Sequence, residues 1–210
     1  MSYTPKILAV AGSLREHSYN RRVLQTAAAG ATNAGGEVTV IDLRDYPLPI
    51  YDADLQEKEG FPENVVKLQK VLLEHDGLLI ASPEYNASLP AVLKNMIDWT
   101  SRANGEIKLG QCYKGKIAAI MTASPGTFGG IRCLGHIRDI LTILLVNTLP
   151  SEIAVGRARE MFDGNNTELI DLKMKGILQD LAKSLVDTLR KTHGEIEVVK
   201  SKTSDVSNRQ

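Results

Sequence analysis

The sequence predicts an α/β fold, a doubly wound parallel sheet of five strands with helices on both faces. Three observations support this prediction. Apolar runs at residues 7–11, 77–81 and 116–122 lack polar alternation, which is typical of strands covered on both faces. A segment with helical periodicity follows each run, and that alternation is the pattern of a parallel sheet. Each run also leads into a stretch rich in Ser, Gly, Pro and Asn.

The first half of the chain contains three predicted strands. Its predicted elements are a strand at 7–11, a helix at 20–34, a strand at 38–41, a loop at 46–60, a helix at 61–75 and a strand at 77–81. Gly35 and Gly36 stop the first helix. Pro47 and Pro49 argue against regular structure at the start of the long loop.

The second half repeats the alternation. We expect Ser88 to cap a helix that has Pro90 in its first turn and ends near Ser101. The further elements are a strand at 116–122, a helix from residue 131, an edge strand at 149–155 interrupted by Pro150, a polar loop at 156–166 and a helix at 168–191. We expect a single domain at 1–191 and a polar tail at 192–210, loosely ordered beyond Val199.

Composition narrows the class of protein. The 210 residues carry 25 basic and 25 acidic side chains, and no basic block indicates a nucleic-acid surface. Cys112 and Cys133 lack metal-ligand spacing, so we expect free thiols and no metal site. The first twenty residues lack a signal-peptide pattern, and no apolar stretch is long enough to span a membrane. We therefore expect a cytoplasmic protein without a membrane or nucleic-acid partner.

Three loops are expected to converge, because ligands of doubly wound sheets bind beyond the carboxyl ends of the strands. We call residues 12–21 the first loop, 83–88 the second loop and 124–130 the third loop. The first loop joins a buried strand to a helix, whose first N–H groups and dipole attract an anion. Ser13, Ser18 and Asn20 add neutral donors, and Arg15 adds a guanidinium suited to phosphate.

The second and third loops are suited to a planar ring. Residues 83–86 offer backbone amides and the aromatic wall of Tyr85, and the glycines of the third loop let the main chain approach closely. A phosphate at one end and a large ring at the other together match FMN. Two plainer interpretations stay open: Ser18 or Asn20 simply caps a helix, and all three loops are ordinary strand exits rich in Gly and Pro for backbone reasons.

Three motifs carry a family resemblance. They are Gly-Ser-Leu-Arg-x-x-Ser-x-Asn-Arg at 12–21, Pro-Glu-Tyr-Asn-x-Ser-x-Pro-x-x-Leu-Lys-Asn-x-Ile-Asp-Trp at 83–99, and Ser-Pro-Gly-x-Phe-Gly-Gly at 124–130. Over about residues 5–190 the chain resembles the NAD(P)H-dependent FMN reductase family, the flavodoxin-like group that includes quinone, azo-dye and chromate reductases.

The resemblance implies a set of FMN-binding residues. The phosphate would be bound by Ser13, Arg15, Ser18, Asn20 and Arg21. The edge of the isoalloxazine ring would be held by Pro83, Glu84, Tyr85 and Asn86. The third loop would lie beside the ring through Ser124, Pro125, Gly126 and Gly129. The family's dimers, often paired into tetramers, place helices after Ser88 and Gly130 at the interface; Trp99 and Leu134 fit an interface or a core equally.

The expected function is hydride transfer from NADPH or NADH through FMN to an acceptor such as a quinone, azo dye, chromate or free flavin. Because the cofactor carries this chemistry, no catalytic side chain is expected. Tyr85 is the expected border of the donor or acceptor pocket. Three alternatives remain open from the sequence: a flavodoxin-type electron carrier, a flavin redox sensor with a protein partner, and a nucleotide-binding module without redox chemistry.

Overall fold

The backbone of this computed structural model is described for residues 3–163 and 168–207, and the side chains for residues 3–163 and 168–193. The strands are β1 (Lys6–Ala11), β2 (Glu37–Ile41), β3 (Gly77–Ala81), β4 (Ile117–Ala123), β5 (Asn147–Thr148) and β6 (Ile153–Val155). The helices are α1 (Tyr19–Asn33), α2 (Ala53–Glu59), α3 (Glu63–Leu73), α4 (Ala91–Thr100), α5 (Ile131–Ile143), α6 (Ala158–Met161) and α7 (Leu172–Ser207).

The strands form one parallel sheet in the order β2-β1-β3-β4-β5, with β6 also paired to β4. The chain winds from β1 to β2 on one side and then to β3 on the other, so the order reverses between β1 and β3. The predicted doubly wound fold is thereby confirmed. This reversal places the ligand crevice at the carboxyl ends of β1 and β3.

Side-chain alternation along the strands sorts the apolar residues into two cores. Ile7 and Leu79 point to the face that α1 and α7 cover, whereas Leu8 and Ile80 point to the face packed by α3, α4 and α5. Because both faces of the central strands are buried, their sequences are continuously apolar. Trp99 and Leu134 are both fully buried, Leu134 in the second core, so neither supports a subunit interface.

Several predicted elements differ from the structure. The single edge strand predicted at 149–155 is two short strands, β5 and β6, on either side of Pro150. The loop predicted at 46–60 contains α2, whose first N–H groups are capped by the Asp52 carboxylate. The loop predicted at 156–166 contains α6, and its residues 164–166 lie outside the described part of the chain.

The last helix is longer than predicted. α7 crosses the predicted boundary at 191/192 and continues to Ser207, in a segment that has no proline and no glycine after Gly194. Nothing in this stretch interrupts helical hydrogen bonding. The division of the chain into a domain at 1–191 and a tail at 192–210 stays a prediction, and residues 208–210 lie outside the described part.

Candidate functional site

The three loops lie side by side at one edge of the sheet. The Gly12 N–H donates to the Ala81 carbonyl at 2.8 Å, and the Ser82 N–H donates to the Met121 carbonyl at 3.0 Å. These bonds continue the pairing of β1 with β3 and of β3 with β4 beyond the strands. The loops that the sequence separates by up to about a hundred residues therefore form one continuous surface at the point where the strand order reverses.

The first loop buries its hydroxyl groups. Ser13 is 3% exposed and Ser18 is 4% exposed, whereas Arg15 is exposed. Ser18 immediately precedes α1, yet its side chain makes no capping hydrogen bond to the helix. The first N–H groups of α1 consequently have no side-chain cap, and they remain available to an anion.

Asn20 holds the first loop to β4. Its amide nitrogen donates to the Ala123 carbonyl at 2.8 Å, and its amide oxygen accepts from the Ala123 N–H at 2.8 Å. The amide is 97% buried and keeps one further N–H for a ligand. Arg21 lies toward β2, where its guanidinium pairs with the Asp42 carboxylate at 2.6 Å. Asn20 thus fixes the first loop to β4, and Arg21 joins it to the residue that follows β2.

The second loop is a tight hairpin turn. Tyr85 and Ser88 exchange main-chain hydrogen bonds of 2.9 and 3.1 Å around Asn86 and Ala87. Both central residues have left-handed φ angles, 51° and 65°. Positive φ at both positions is the geometry of a type I′ turn, which Asn tolerates and Ala does not favour. The turn leaves the Tyr85 side chain 48% exposed at the mouth of the site, next to the buried Pro83.

The second loop is fastened to α5 at both ends. The Glu84 carboxylate accepts from the Arg132 N–H at 2.9 Å and from its guanidinium at 3.1 Å. The Ser88 hydroxyl lies 2.9 Å from Nδ1 of His136. The prediction that Ser88 caps α4 is therefore wrong. Pro90 is the residue that precedes the helix. The hydroxyl binds a distant side chain instead of the nearest free N–H groups.

The third loop packs its glycines closely against neighbouring segments of the chain. Gly129 and Gly130 have φ angles of 63° and 88°, which are strained for any residue with a Cβ. A Cβ at Gly129 would lie 2.7 Å from the Gly156 nitrogen. The Thr122 hydroxyl donates to the Gly129 carbonyl at 3.0 Å, and the Ser124 hydroxyl accepts from the Gly126 N–H at 3.0 Å. Pro125 is exposed beside them.

Sequence reasoning missed several residues that support the loops. They are Thr122, Arg132, His136 and Gly156. Only Gly156 had a signal in the sequence, because a glycine directly after a strand suggests that another segment of backbone approaches closely. The partners of Glu84 and Ser88 had no local signal, since each pair is 48 residues apart.

Neither cysteine is in an environment that would make its thiol reactive. Burial raises the pKa of the Cys133 thiol, and it raises the pKa of the Cys112 thiol to about 11. Both thiols are free and buried. In the described part of the chain no cluster of His, Cys, Asp or Glu could hold a metal ion. The described helices include none long and apolar enough to cross a membrane.

The donor set of the site fits FMN. A phosphate requires N–H and hydroxyl groups at a helix start, and α1 with Ser13, Ser18 and Arg15 offers them. A flat ring requires close approach of main chain, which Gly126 of the third loop permits because it is exposed and a Cβ there would meet only the Ser124 hydroxyl.

Comparisons with known proteins agree with this arrangement. Residues 5–160 match the family described as NADPH-dependent FMN reductase. The chain is 36% identical over 195 residues to the NAD(P)H-dependent FMN reductase of Pseudomonas aeruginosa, covering 92% of this chain and all of that protein. It is 38% identical over 188 residues to the quinone reductase of Escherichia coli K12, covering 88% of this chain and 94% of that protein.

A solved structure extends the likeness to the fold. The flavoenzyme FerB, an NAD(P)H:(acceptor) oxidoreductase from Paracoccus denitrificans, superposes with a TM-score of 0.75 at 28% identity. The alignment covers 90% of this chain and 98% of FerB. The chain therefore belongs to the NADPH-dependent FMN reductase family, as its three loop motifs predict.

Proposed function

We propose that this chain is an FMN-dependent oxidoreductase that oxidises NADPH or NADH and reduces a small acceptor, with quinones as the leading class. The observation that carries the proposal is the convergence of three loops at the reversal of strand order, with an uncapped helix start facing one end. Relatives named FMN reductase and quinone reductase support the same activity. They favour a reductase over the carrier, sensor and nucleotide-module alternatives. Azo dyes, chromate and free flavin remain further candidate acceptors.

In this proposal the first loop binds the phosphate of FMN. Ser13, Ser18, the remaining N–H of Asn20 and the first N–H groups of α1 act as donors, and Arg15 contributes charge from the exposed side. Arg21 contributes less, because its guanidinium is already paired with Asp42. Buried donors are suited to a group that stays bound, since they are held in place before the ligand arrives.

The second and third loops hold and border the ring. In this proposal Pro83, Tyr85 and Asn86 border the ring on one side, and Ser124, Pro125, Gly126 and Gly129 border it on the other. Glu84 carries a charge that Arg132 compensates, so it adds little net repulsion toward electrons or anions. Tyr85 shields the mouth of the site from water and borders the space where donor and acceptor enter. When bound, FMN supplies the hydride-accepting and hydride-donating chemistry.

The test of the proposal is spectroscopic. The purified chain is reconstituted with FMN, its visible spectrum is recorded, and NADPH or NADH is added without oxygen. The proposal predicts prompt bleaching, followed by reoxidation when a quinone is added. Bound flavin that ignores both nucleotides would contradict the reductase assignment and favour a carrier or sensor. Failure to take up FMN would remove the cofactor assignment as well.

A matched pair of variants tests the phosphate end. Arg15→Ala is expected to weaken FMN binding about ten-fold, the effect of losing one charge-assisted hydrogen bond. Arg159→Ala removes the same charge from an exposed residue of α6 and is expected to leave FMN affinity unchanged. Equal FMN affinity of Arg15→Ala and the unchanged chain would show that Arg15 does not bind the phosphate.

We also propose a homo-oligomer, a dimer or a tetramer, in the cytoplasm. Ile131 and Ile143 of α5 are 51% and 82% exposed, which supports an interface on that helix in place of the buried Leu134. Two free, buried thiols are compatible with a reducing compartment. Light scattering of the purified chain checks the first proposal, and a monomer at micromolar concentration would contradict it.

A further inference from the structure

The segment that leaves β6 packs directly against the third loop. Arg157 donates its N–H to the Gly126 carbonyl at 3.0 Å, and Ala158 donates its N–H to the Ser124 carbonyl at 3.0 Å. A Cβ at Gly156 would overlap the Thr127 carbonyl oxygen. Arg157 is therefore held at the border of the proposed ring site, although it belongs to none of the three loops.

Arg157 occupies this place with a strained backbone. Its φ angle is 49°, in the left-handed region that glycine adopts freely and other residues adopt at a cost in free energy. Two main-chain hydrogen bonds hold this conformation. The Arg157 N–H donates to the Gly126 carbonyl, and the Arg157 carbonyl accepts from the Glu160 N–H at 2.8 Å. Strained residues that persist in this way are concentrated at functional sites. A glycine would relieve the strain, so the presence of arginine points to a use for its side chain.

The charge of Arg157 is also uncompensated. Two arginines of α5 are paired: Arg132 with Glu84, and Arg138 with Glu152 at 2.6 Å. Arg157 is exposed, and within the described residues its guanidinium has no ion-pair partner. An unpaired guanidinium on a residue whose backbone borders the ring site offers a planar fork of N–H donors to an arriving anion.

We propose that Arg157 binds a phosphate group of the nicotinamide dinucleotide while the donor lies in the site. The proposal rests on the proposed function, because it assumes that NADPH or NADH enters beside the third loop. The donor must leave after each reduction, so its anion is best held by an exposed, solvated cation. The buried hydroxyls of the first loop are suited to the opposite demand, retention of a resident phosphate.

Three variants, each loaded with FMN, test the proposal. Arg157→Gly removes the guanidinium and relieves the left-handed strain, so we expect it to melt at a higher temperature than the unchanged chain. A loss of donor binding in this variant then cannot arise from unfolding. Arg157→Lys keeps the charge without the fork, and Arg159→Ala removes a neighbouring exposed charge whose backbone, unlike that of Arg157, forms no hydrogen bond to the third loop.

The expected result is a KM for NADPH raised about ten-fold in Arg157→Gly, with kcat changed less than two-fold. Arg157→Lys is expected to recover part of the loss, and Arg159→Ala is expected to match the unchanged chain. The KM of the unchanged chain should also rise with salt more steeply than that of Arg157→Gly. A rise with NADPH alone identifies the 2′-phosphate as the group bound, and an equal rise with NADH identifies the pyrophosphate.

A KM in Arg157→Gly no higher than in Arg159→Ala, for both donors, would overturn the proposal. That outcome leaves the proposed function intact, because flavin would still be bleached by the donor. An FMN-loaded chain that neither nucleotide bleaches would instead refute the proposed function before any variant is compared. The two failures are thus distinguishable in one set of experiments.

Discussion

The first and second loops leave neighbouring strands at the same edge of the sheet, yet they are built in opposite ways. The first loop buries Ser13 and Ser18 and is held to β4 by the two hydrogen bonds of Asn20. The second loop exposes Tyr85 and stores strain at Asn86 and Ala87. One loop is fixed by buried polar groups, and the other is a tight turn fastened from outside by α5.

In the proposed function, this contrast separates retention of the cofactor from exchange of the substrates. Buried, prearranged donors lower the entropic cost of binding and favour a ligand that stays. An exposed aromatic side chain on a short turn leaves room for small molecules that come and go.

Asn20→Ala is expected to have the largest effect. It leaves the buried N–H and carbonyl of Ala123 without partners, which should lower the free energy of unfolding by about 3 kcal/mol. Urea denaturation of the apoprotein measures this loss. Gln25→Ala, at an exposed position of the same helix, is the control and should change stability by less than about 0.5 kcal/mol. Equal stability of both variants would show that the first loop is not fixed through Asn20.

Gly156→Ala extends the comparison to the third loop. The added Cβ would overlap the Thr127 carbonyl, so the loop must shift, at about 2 kcal/mol of unfolding free energy. Gly135→Ala is the matched control, because nothing lies within 4 Å of its Cβ position and alanine favours the helix. Thermal melting of the two variants should move in opposite directions, and a shared direction would refute the close approach.

Ala87→Gly tests the strain in the second loop. Glycine adopts the φ angle of 65° without a Cβ penalty, so stability should rise by about 1 kcal/mol. Ala91→Gly in the first turn of α4 is the control and should lower stability by about the same amount. Destabilisation by Ala87→Gly in denaturant melts would show that the turn is not strained in solution.

The smallest effect concerns the charges behind the first loop. Hydrogen bonding from Arg44, aided by Arg21, holds the pKa of the Asp42 carboxyl below its usual range. Because the pKa of this carboxyl is lower in the folded than in the unfolded chain, its ionised form stabilises the folded state at neutral pH. That contribution is lost as pH falls below about 4. Asp42→Asn should therefore be slightly less stable at pH 7, with the difference vanishing in acid. A difference that persists below the folded pKa would exclude this electrostatic origin.

The central strands of the sheet could be predicted from the sequence, whereas the edge strands and the helix α2 could not. β1, β3 and β4 are buried on both faces, so an uninterrupted apolar run marks each of them. β5 and β6 have only two and three residues, too few to show any periodicity. The prolines at 47 and 49 hid α2, although Asp52 gave a valid capping signal before it.

The positions of the three loops could be predicted, but the partners of their side chains could not. Short-range chemistry suggested that Ser88 caps a helix, and it gave no sign that the Asn20 amide bonds to β4. The structure joins Ser88 to His136 and Asn20 to Ala123, 48 and 103 residues away. Such pairs depend on how helices pack on the sheet, and no local pattern encodes that packing. The same reason kept Arg157 out of the predicted site.

Amide hydrogen exchange with and without FMN reports on all three loops in one measurement and thereby locates the flavin. We predict that bound FMN slows exchange in residues 12–21, 83–88 and 124–130, most strongly at the start of α1. Exchange around Lys116, at the opposite end of the sheet, should be unchanged. Unaltered exchange in the three loops while FMN is bound would contradict the account and place the flavin elsewhere.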